Sequence, residues 1–525
     1  MRPRAQAWQI AWIALLALTL VVVLAIRLRL LEVPLERDEG EYAYAGQLLL
    51  QGVPPYQLAY NMKFPGTYAA YGLLMAVFGQ TTRGVHLGLL LVNAASIALL
   101  FLLARQLVGL RAACAAAATY AVLSVSPSVQ GFAGHATHFV VLPVLGGALL
   151  LLGARERNSL GLLGVSGVLF GLGVLMKQPG AAFVLFAVAV LLSLDSAERL
   201  DLRARLVRSS ALLAGAALPF ALTCLLLWQA GVFPNFWFWT FQYAREYGSQ
   251  TSLAVGTENF VFAIKYVVGA EALLWGLAGI GTVICVAVWK SGSHKFLLVL
   301  LVAGALAVCP GFYFRPHYFI LLLPAVALLV GVAANWQPGR FAVIPLLVVA
   351  AGLALPLAAH RDFFFKLSPE AASRHAYGLN PFPESVRIAE FLRENSSPDE
   401  TIAVLGSEPQ IPFYANRRSA TGYIYTYGLM ERHQYAAWMQ QEMAREIEAA
   451  RPKFVVIVSV AASWLRRTDS DETLMNWFTE YSARELEPVG YVGILSPERT
   501  EYFLPFADES LTRTETYVTI WQRKL

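Results

Sequence analysis

Long hydrophobic runs separated by short polar stretches occupy the chain up to about residue 360. Because a helix needs about 20 apolar residues to cross the hydrocarbon core of a bilayer, this pattern predicts eleven membrane-spanning helices. The stretch 64–78 is apolar but shorter, which favours a position in the membrane interface over a crossing. The predicted spans lie near residues 8–31, 82–105, 112–130, 138–153, 159–176, 180–194, 209–230, 268–289, 296–314, 317–335 and 341–359.

Basic residues indicate which side of the membrane faces the cytoplasm. With eleven spans, most lysines and arginines of the short loops fall on one side, which is therefore predicted to be cytoplasmic together with the N-terminus. The loops 32–81, 131–138 and 231–267 then face the other side. Lys177 and Arg315 are exceptions, because each is a single basic residue near a proline on that other side. The basic residues that set the orientation are Arg2, Arg4, Arg105, Arg111, Arg155, Arg157, the group from Arg199 to Arg208, Lys290, Lys295 and Arg340.

Residues 360–525 have a more polar pattern that alternates between two periods. Helical periodicity predicts helices over 383–395 and 431–450, and β-rich runs predict strands over 401–405, 453–460 and 514–522. Interleaved strands and helices are typical of a small α/β domain. The sequence thus predicts a membrane domain over 1–359 and an external soluble α/β domain over 360–525.

Composition agrees with a polytopic α-helical membrane protein. Of the 525 residues 57% are hydrophobic and 14% are charged, whereas soluble domains are roughly 45–50% apolar. The net charge of +5 is modest, so it is interpreted as loop charge and not as a nucleic-acid-binding surface. All four cysteines lie in apolar runs, which argues against a disulfide framework or a cysteine zinc site. The first apolar run is too long for a signal peptide and is expected to be retained.

An acidic cluster follows the first predicted span directly. It reads Glu36-Arg37-Asp38-Glu39-Gly40-Glu41-Tyr42-Ala43-Tyr44-Ala45 and is followed by a predicted helix over Gln47 to Leu50. A turn at 52–56 and a single lysine at 63 come next. Acids, a turn and one lysine at a membrane surface indicate a functional site, although polar loops at helix ends are also common.

The order of these pieces resembles the first external loop of GT-C glycosyltransferases. The similarity is greatest to protein O-mannosyltransferases and lipid A aminoarabinose transferases, and at motif level it extends from about Trp8 to Leu107. This resemblance implies an integral-membrane enzyme of the cell membrane. Such an enzyme moves a monosaccharide, a hexosyl or pentosyl group, from a polyprenyl-phosphate donor to a protein, lipid or glycan acceptor of the envelope. Direct attack on the sugar would invert its anomeric configuration.

The resemblance also implies roles for three residues of the loop. Asp38 corresponds to the catalytic carboxylate that takes a proton from the acceptor, and Glu39 has a supporting role. Asp38 could instead only pair with Arg37 or a lysine. Lys63 would hold the donor phosphate, although this chain has Lys63-Phe64-Pro65 where the family often has Lys-Pro-Pro. Without a ligand, a lone lysine here would extend to the lipid headgroups.

A second set of candidates precedes the tenth predicted span. Arg315-Pro316-His317-Tyr318 stands before Leu322-Leu323-Pro324, as in family members. Since a proline-initiated helix start can bind anions, Arg315 and His317 are candidate contacts of the donor phosphate, or alternatively of lipid headgroups. Lys177, before Gln178-Pro179-Gly180, matches another family pattern and is a candidate for the substrate cavity, together with Tyr42, Tyr60 and Tyr318.

His135 and His138 have a spacing that allows one helical face and a shared metal ion. No third ligand is nearby in the sequence, so no metal ligands are assigned, and a divalent metal is left as an open possibility. The family often has an acidic residue here, and a histidine in its place would act as a base or contact the acceptor within the cavity. The aromatic loop over 233–243 indicates an interfacial belt, or else a surface that grips an isoprenoid tail.

Two other function classes fit parts of the pattern. A transporter or flippase would also have many spans, but it usually carries ionisable residues in mid-span, whereas here they gather at one face. A non-catalytic lipid-binding scaffold of the envelope is the other alternative. The sequence has no glycine-rich phosphate loop after a strand and no Gly-x-Ser-x-Gly motif, which argues against a nucleotide-sugar donor and a serine hydrolase. Predicted partners are thus the lipid-linked donor, the acceptor and membrane lipids, without nucleic acid.

Overall fold

The computed structural model describes residues 2–197, 200–336, 343–506 and 514–524. Up to residue 359 the described chain is almost entirely helical, and each of the eleven predicted spans overlaps a helix. Arg199 and Arg340, two of the basic residues that set the predicted orientation, lie outside the described residues. The helices of this part are α1 (Arg2–Arg29), α2 (Arg37–Leu50), α3 (Gly66–Phe78), α4 (Thr82–Leu107), α5 (Leu110–Leu123), α6 (Ala136–Glu156), α7 (Leu160–Met176), α8 (Ala181–Ala197), α9 (Leu202–Gln229), α10 (Phe233–Trp237), α11 (Ala244–Gly248), α12 (Leu253–Val268), α13 (Ala272–Ala287), α14 (Gly292–Val308), α15 (Leu323–Ala334) and α16 (Val343–Ala359).

Several of these helices have the length and composition of membrane spans. In the described part of the chain, five helical stretches of at least 18 residues qualify, and seven further apolar helices have 10–17 residues. Large apolar side chains on their surfaces are exposed, among them Leu226 at 64% and Phe262 at 72%. Such surfaces suit a lipid environment, and the protein is a multi-pass membrane protein. The five stretches are Gln6–Arg29, Thr82–Leu107, Ala136–Glu156, Leu202–Gln229 and Leu253–Ala287.

Small residues allow the helices to pack closely. On α5, the residues from Ala112 to Ala118 are all buried. On α7 and α9, a Cβ atom added to Gly167 or Gly215 would lie 2.0 Å from a backbone oxygen of the facing helix. Membrane helices associate through such close backbone contact because lipid offers no hydrophobic driving force.

The predicted loop over 231–267 is largely helical, which corrects the sequence interpretation. It contains α10, a π-helical turn (Phe238–Tyr243), α11 and α12. Helix α12 has 16 residues with no proline to interrupt it, and it leads through a short 3₁₀ turn into α13. Aromatic side chains of the loop are thereby divided, since Phe236 and Trp239 are buried while Trp237 is exposed.

The acidic cluster forms the start of a helix and is not a loop before one. Helix α2 begins at Arg37, ten residues earlier than predicted, and it continues to Leu50. It packs against α3 where Gly46 and Gly72 allow close approach. Helix α3 has 13 residues, which agrees with the prediction that this stretch is too short to cross the membrane.

A small mixed sheet lies in the C-terminal part, as the alternating pattern predicts. Its five strands have the order β1-β2-β5-β3-β4. Strands β1 and β2 are parallel and the other neighbours are antiparallel. The strands are β1 (Ile402–Leu405), β2 (Phe454–Ser459), β3 (Leu486–Ser496), β4 (Arg499–Phe503) and β5 (Tyr517–Arg523). The helices are α17 (Arg361–Phe365), α18 (Pro369–Tyr377), α19 (Phe382–Glu394), α20 (Gln410–Ala415), α21 (Tyr427–Met430), α22 (Ala436–Ala450), α23 (Ala461–Trp464) and α24 (Thr473–Glu485).

Candidate active site

Helix α2 supplies the acidic side chains of the site, and these side chains lie on different faces of the helix. The Glu36 carboxylate accepts a hydrogen bond from the Glu39 backbone at 2.9 Å, and the Glu39 carboxylate accepts one from the Glu36 backbone at 3.4 Å. This reciprocal capping box satisfies two donors that the helix start leaves free. Asp38 and Glu41 are three residues apart and therefore share another face of the helix.

Asp38 and Glu41 are joined by one lysine. The Lys63 ammonium donates to Asp38 Oδ1 at 2.8 Å and to Glu41 Oε2 at 2.6 Å. Two phenols complete the arrangement, since Tyr425 donates to Asp38 Oδ1 at 2.8 Å and Tyr68 donates to Glu41 Oε1 at 2.6 Å. The two partners of Asp38 both occupy Oδ1, so Oδ2 is the oxygen that remains for a substrate.

The charges of this network follow from burial and proximity. Burial by itself raises the pKa of Asp38, but the charge and the hydrogen bond of the Lys63 ammonium hold that pKa well below its usual value. Burial likewise opposes the charge of Lys63, yet the two carboxylates raise the pKa of this lysine well above normal. For Glu41 burial prevails over Lys63, and its pKa is raised. The geometry thus keeps Asp38 ionised beside a protonated lysine.

Two stacked histidines face the second oxygen of Asp38. The rings of His135 and His317 are parallel within 11° with centroids 4.1 Å apart. His135 Nδ1 lies 4.0 Å and His317 Nε2 lies 3.9 Å from Asp38 Oδ2. Burial lowers the pKa of His135 to about 4, so its imidazole is neutral. Neither ring nitrogen of His135 has a hydrogen-bond partner among the described residues.

These three side chains are suited to a divalent metal ion. Asp38, His135 and His317 offer ligand atoms that lie within 4.8 Å of one another, the one such group of three in the described part of the chain. A carboxylate with two neutral imidazoles is a common ligand set for zinc and related ions. His138 does not join it, because its Nε2 is 3.1 Å from the Gly131 carbonyl oxygen. The pairing of His135 with His138 considered from the sequence is therefore replaced by a pairing of His135 with His317.

Two basic residues, Lys177 and Arg315, line the same space as Asp38 and the histidines. Lys177 Nζ is 4.1 Å from the ring centroid of Tyr318, and burial lowers the pKa of this lysine to about 7. The Arg315 guanidinium lies 5.8 Å from the ring centroid of Tyr313. Neither cation is within 4 Å of a carboxylate in the described structure. In contrast to Lys63, both cations are therefore available to a phosphate.

Aromatic residues form the wall toward the C-terminal sheet domain. Tyr60 stacks on Trp239 with centroids 5.3 Å apart and meets Tyr423 edge-on at 5.1 Å. The Tyr60 hydroxyl donates to Glu446 at 2.9 Å, and the Tyr60 backbone N–H donates to the Gly422 carbonyl at 2.7 Å. Loop 51–65 is thereby fixed to the C-terminal domain.

All these walls enclose one cavity of about 530 Å³. Of the eleven residues that the sequence singled out, nine line it and two do not. Glu39 is behind α2, where it accepts from His86 at 3.0 Å and from the Gly134 backbone at 2.5 Å. His138 is buried beside Gly131. The nine that line the cavity are Asp38, Tyr42, Tyr60, Lys63, His135, Lys177, Arg315, His317 and Tyr318.

Glu41 and Tyr425 are site residues that the sequence interpretation missed. Glu41 could have been found from the sequence, because a helix that begins at Arg37 places Glu41 on the same face as Asp38. Tyr425 lies 387 positions from Asp38, and no local pattern connects the two.

Comparison with known proteins identifies related folds. The family model described as dolichyl-phosphate-mannose-protein mannosyltransferase matches residues 63–228. Among curated protein sequences, no significant match is found.

Two solved structures of ArnT from Cupriavidus metallidurans superpose over nearly their whole length. The structure bound to undecaprenyl phosphate has 14% identity and a TM-score of 0.55, and the alignment covers 96% of this chain and 97% of that chain. The apo form has 15% identity and a TM-score of 0.55, with 98% of each chain covered. The apo oligosaccharyltransferase of Archaeoglobus fulgidus has 14% identity and a TM-score of 0.53, with coverage of 95% of this chain and 75% of that one. The resemblance seen in the acidic loop is confirmed at the level of architecture, and the chain has the fold of the GT-C membrane glycosyltransferases.

Proposed function

We propose that the protein is a membrane glycosyltransferase that moves a hexosyl or pentosyl group from a polyprenyl-phosphate donor to an acceptor of the cell envelope. The observation that carries this proposal is that one cavity is lined by Asp38 and by two cations, Lys177 and Arg315, which have no carboxylate partner among the described residues. A base and a phosphate site in one enclosed space are what glycosyl transfer from a lipid phosphate requires. The GT-C fold and the family match over 63–228 support the same class.

Asp38 is the proposed general base. Its Oδ2 takes the proton of the acceptor hydroxyl or amine while the acceptor atom bonds to the anomeric carbon. The bond from that carbon to the phosphate oxygen breaks, and its electrons leave with the polyprenyl phosphate. One direct displacement inverts the anomeric configuration. Tyr425 and Lys63 hold Oδ1, which keeps the carboxylate oriented.

Lys177 and Arg315 are the proposed phosphate contacts. The family resemblance implies this role for Lys63, but Lys63 already donates to two carboxylates, so its proposed role is to hold Asp38 beside the phosphate. A divalent metal held by Asp38, His135 and His317 would supply further positive charge near the leaving group, but it would compete with the acceptor proton for Asp38 Oδ2, so the proposed step does not use it. The acceptor enters from the non-cytoplasmic face, if the N-terminus is cytoplasmic as the loop charges predict.

A transfer assay with the Asp38→Asn variant tests this function. Membranes that contain wild-type or variant protein are incubated with a panel of radiolabelled polyprenyl-phosphate sugars and whole-envelope acceptor. We expect label to enter an envelope fraction with the wild type and to fall by about 10²–10⁴-fold with Asp38→Asn, as for loss of a general base. Asp362→Asn, at an exposed aspartate on α17, is the matched control and should keep full activity. Normal turnover by Asp38→Asn would remove Asp38 as the base, and folded wild type that transfers no sugar would refute the function.

A further inference from the structure

A second cavity, of about 400 Å³, lies at the opposite end of the helical bundle. Its walls come from the C-terminal ends of α4, α6 and α8 and from the beginning of α14. Helix α6 has 21 residues, begins next to His135 and lines this cavity with its C-terminal end. At the α-helical rise, that length separates the two cavities by about 30 Å. The second cavity is therefore independent of the candidate active site.

Positive charge predominates in the lining of this cavity. Lys290 comes from the segment between α13 and α14, Lys295 from the beginning of α14, and Arg155 from the last turn of α6. Glu156 is the acidic member of the described lining, and its carboxylate accepts a hydrogen bond from Gln106 at 2.8 Å. A concave site with two lysines and one exposed, already bonded acid favours an anion.

The beginning of α14 adds hydrogen-bond donors to the same space. Its N-cap residue, Ser291, makes no side-chain capping bond, and Gly292 and Ser293 of the first turn line the cavity. The backbone N–H groups of a first helical turn have no partner within the helix and carry its positive dipole end. Together with the lysines, they suit the oxygens of a phosphate group.

The surroundings of the cavity are apolar and exposed, which favours a lipid as the source of that phosphate. Val286 is 57% exposed, Val288 47% and Trp289 56%. The Lys295 ammonium lies 5.1 Å from the Trp289 ring centroid. A tryptophan and lysines at one level, beside exposed aliphatic side chains, are typical of a helix end at the membrane interface. The site thus has a polar end for a headgroup and an apolar flank for acyl chains.

We propose that the cavity binds the phosphate headgroup of an anionic phospholipid. The headgroup phosphodiester accepts hydrogen bonds from Lys290, Lys295 and the first turn of α14, and the acyl chains lie along the exposed face of α13. In the orientation that the loop charges predict, this lipid belongs to the cytoplasmic leaflet, where basic cavities between helices bind such headgroups.

Native mass spectrometry of the full-length protein in detergent tests the proposal. The protein is titrated separately with phosphatidylglycerol, phosphatidylcholine and inorganic phosphate. We expect a clear preference for phosphatidylglycerol, and about 30-fold weaker binding of it by Lys290→Gln/Lys295→Gln, since each lysine contributes about 1 kcal/mol to binding an anionic lipid. Arg432→Gln/Arg445→Gln, at two exposed cations of the C-terminal domain, is the matched control and should bind like the wild type.

Each other outcome overturns part or all of the proposal. Equal binding of both lipids shows that the cavity has no preference for an anionic headgroup. Displacement of phosphatidylglycerol by inorganic phosphate at similar concentration shows that free phosphate is the ligand. Wild-type binding by the lysine variant places the lipid elsewhere. Thermal unfolding of both variants controls for misfolding, and Lys290→Gln alone serves if the double variant is unstable. The outcome does not depend on glycosyl transfer, so it is separate from the test of the proposed function.

Discussion

Replacing Lys63 with methionine removes the cation that Asp38 and Glu41 share. Methionine keeps the length and the apolar stem of the side chain, so the change isolates the charge. Lys63 lies 2.8 Å from one carboxylate and 2.6 Å from the other, and the side chain of Glu41 is fully buried. Removal of one partner from a buried ion pair costs about 3–5 kcal/mol. We use the lower end, about 3 kcal/mol, because Lys63 and Asp38 are each about one-fifth exposed.

That free energy changes the pH range in which Asp38, the proposed base, is ionised. In the wild type the pKa of Asp38 is held well below its usual value, so the carboxylate stays ionised into the acid range. Without Lys63 the pKa of Asp38 rises. At 1.36 kcal/mol per pH unit, about 3 kcal/mol moves the acid limb of the pH–rate profile upward by about 2 units. Activity should therefore be lost at a higher pH as the solution is made acidic.

Single-turnover transfer at saturating donor, measured from acid to neutral pH, checks this shift. Saturation separates an effect on the base from a weaker hold on the donor phosphate. Lys366→Met is the matched control, since Lys366 makes an exposed ion pair with Asp362 at 2.8 Å, and its profile should equal that of the wild type. An acid limb that stays in place in Lys63→Met would refute the argument that Lys63 sets the charge of Asp38. If only donor affinity changes, Lys63 is a phosphate contact alone.

Three further predictions concern other contacts of the site. Burial lowers the pKa of Lys177 to about 7, so this lysine is charged below that pH. Binding of a polyprenyl phosphate, measured by calorimetric titration, should therefore weaken as the pH rises through 7. The Lys177→Arg variant should show no such weakening. Tyr425→Phe removes a hydrogen bond to ionised Asp38, which is typically worth about 1.5–3 kcal/mol, and should lower kcat by about 10- to 100-fold with little change in KM. Arg37→Met removes the charged partner of the buried Glu408 carboxylate, which lies 2.6 Å from Arg37, and should lower the free energy of unfolding by about 3–5 kcal/mol. Unfolding in detergent should show recovery in Arg37→Met/Glu408→Leu.

The membrane helices could be predicted because one physical requirement determines them. A bilayer leaves no water to satisfy backbone groups, so every long apolar run must be helical. The region 231–267 was interpreted as a loop because its polar residues interrupt the apolar run. Helix α12 nevertheless forms between Ser252, which caps it, and Gly269, where it ends. Local capping, not hydropathy, defines that helix.

The C-terminal sheet was predicted only in part, for a different reason. Strands β1, β2 and β5 lie within a few residues of the predicted positions. Strand β3 was missed because Pro488 and Gly490 interrupt its alternation, and the structure shows a register shift between these two residues. A bulge of this kind hides a strand from a pattern of period two.

The candidate site shows the same division between local and distant information. Motif order and the family resemblance identified nine residues that line one cavity, but they could not tell which way a side chain faces. Glu39 and His138 carry suitable groups and point away from the cavity, into hydrogen bonds with His86 and Gly131. His138 is the histidine nearest to His135 in the sequence, but His317 is the one whose ring stacks on His135 in the folded protein.

The hydrogen bond from Tyr425 to Asp38 connects the beginning of the chain with its last quarter. These two residues are 387 positions apart, and at about 5–20 residues per second the ribosome needs about 20–80 s to make that interval. The last described membrane helix ends at Ala359, so for the final 66 residues of this interval, about 3–13 s, the membrane helices and Asp38 exist while the Tyr425 phenol does not. Under the proposed function, a nascent chain that still lacks Tyr425 is therefore less active toward lipid-linked sugars, as Tyr425→Phe is expected to be. Full activity is then reached only after the part of the C-terminal domain that contains Tyr425 has been synthesised.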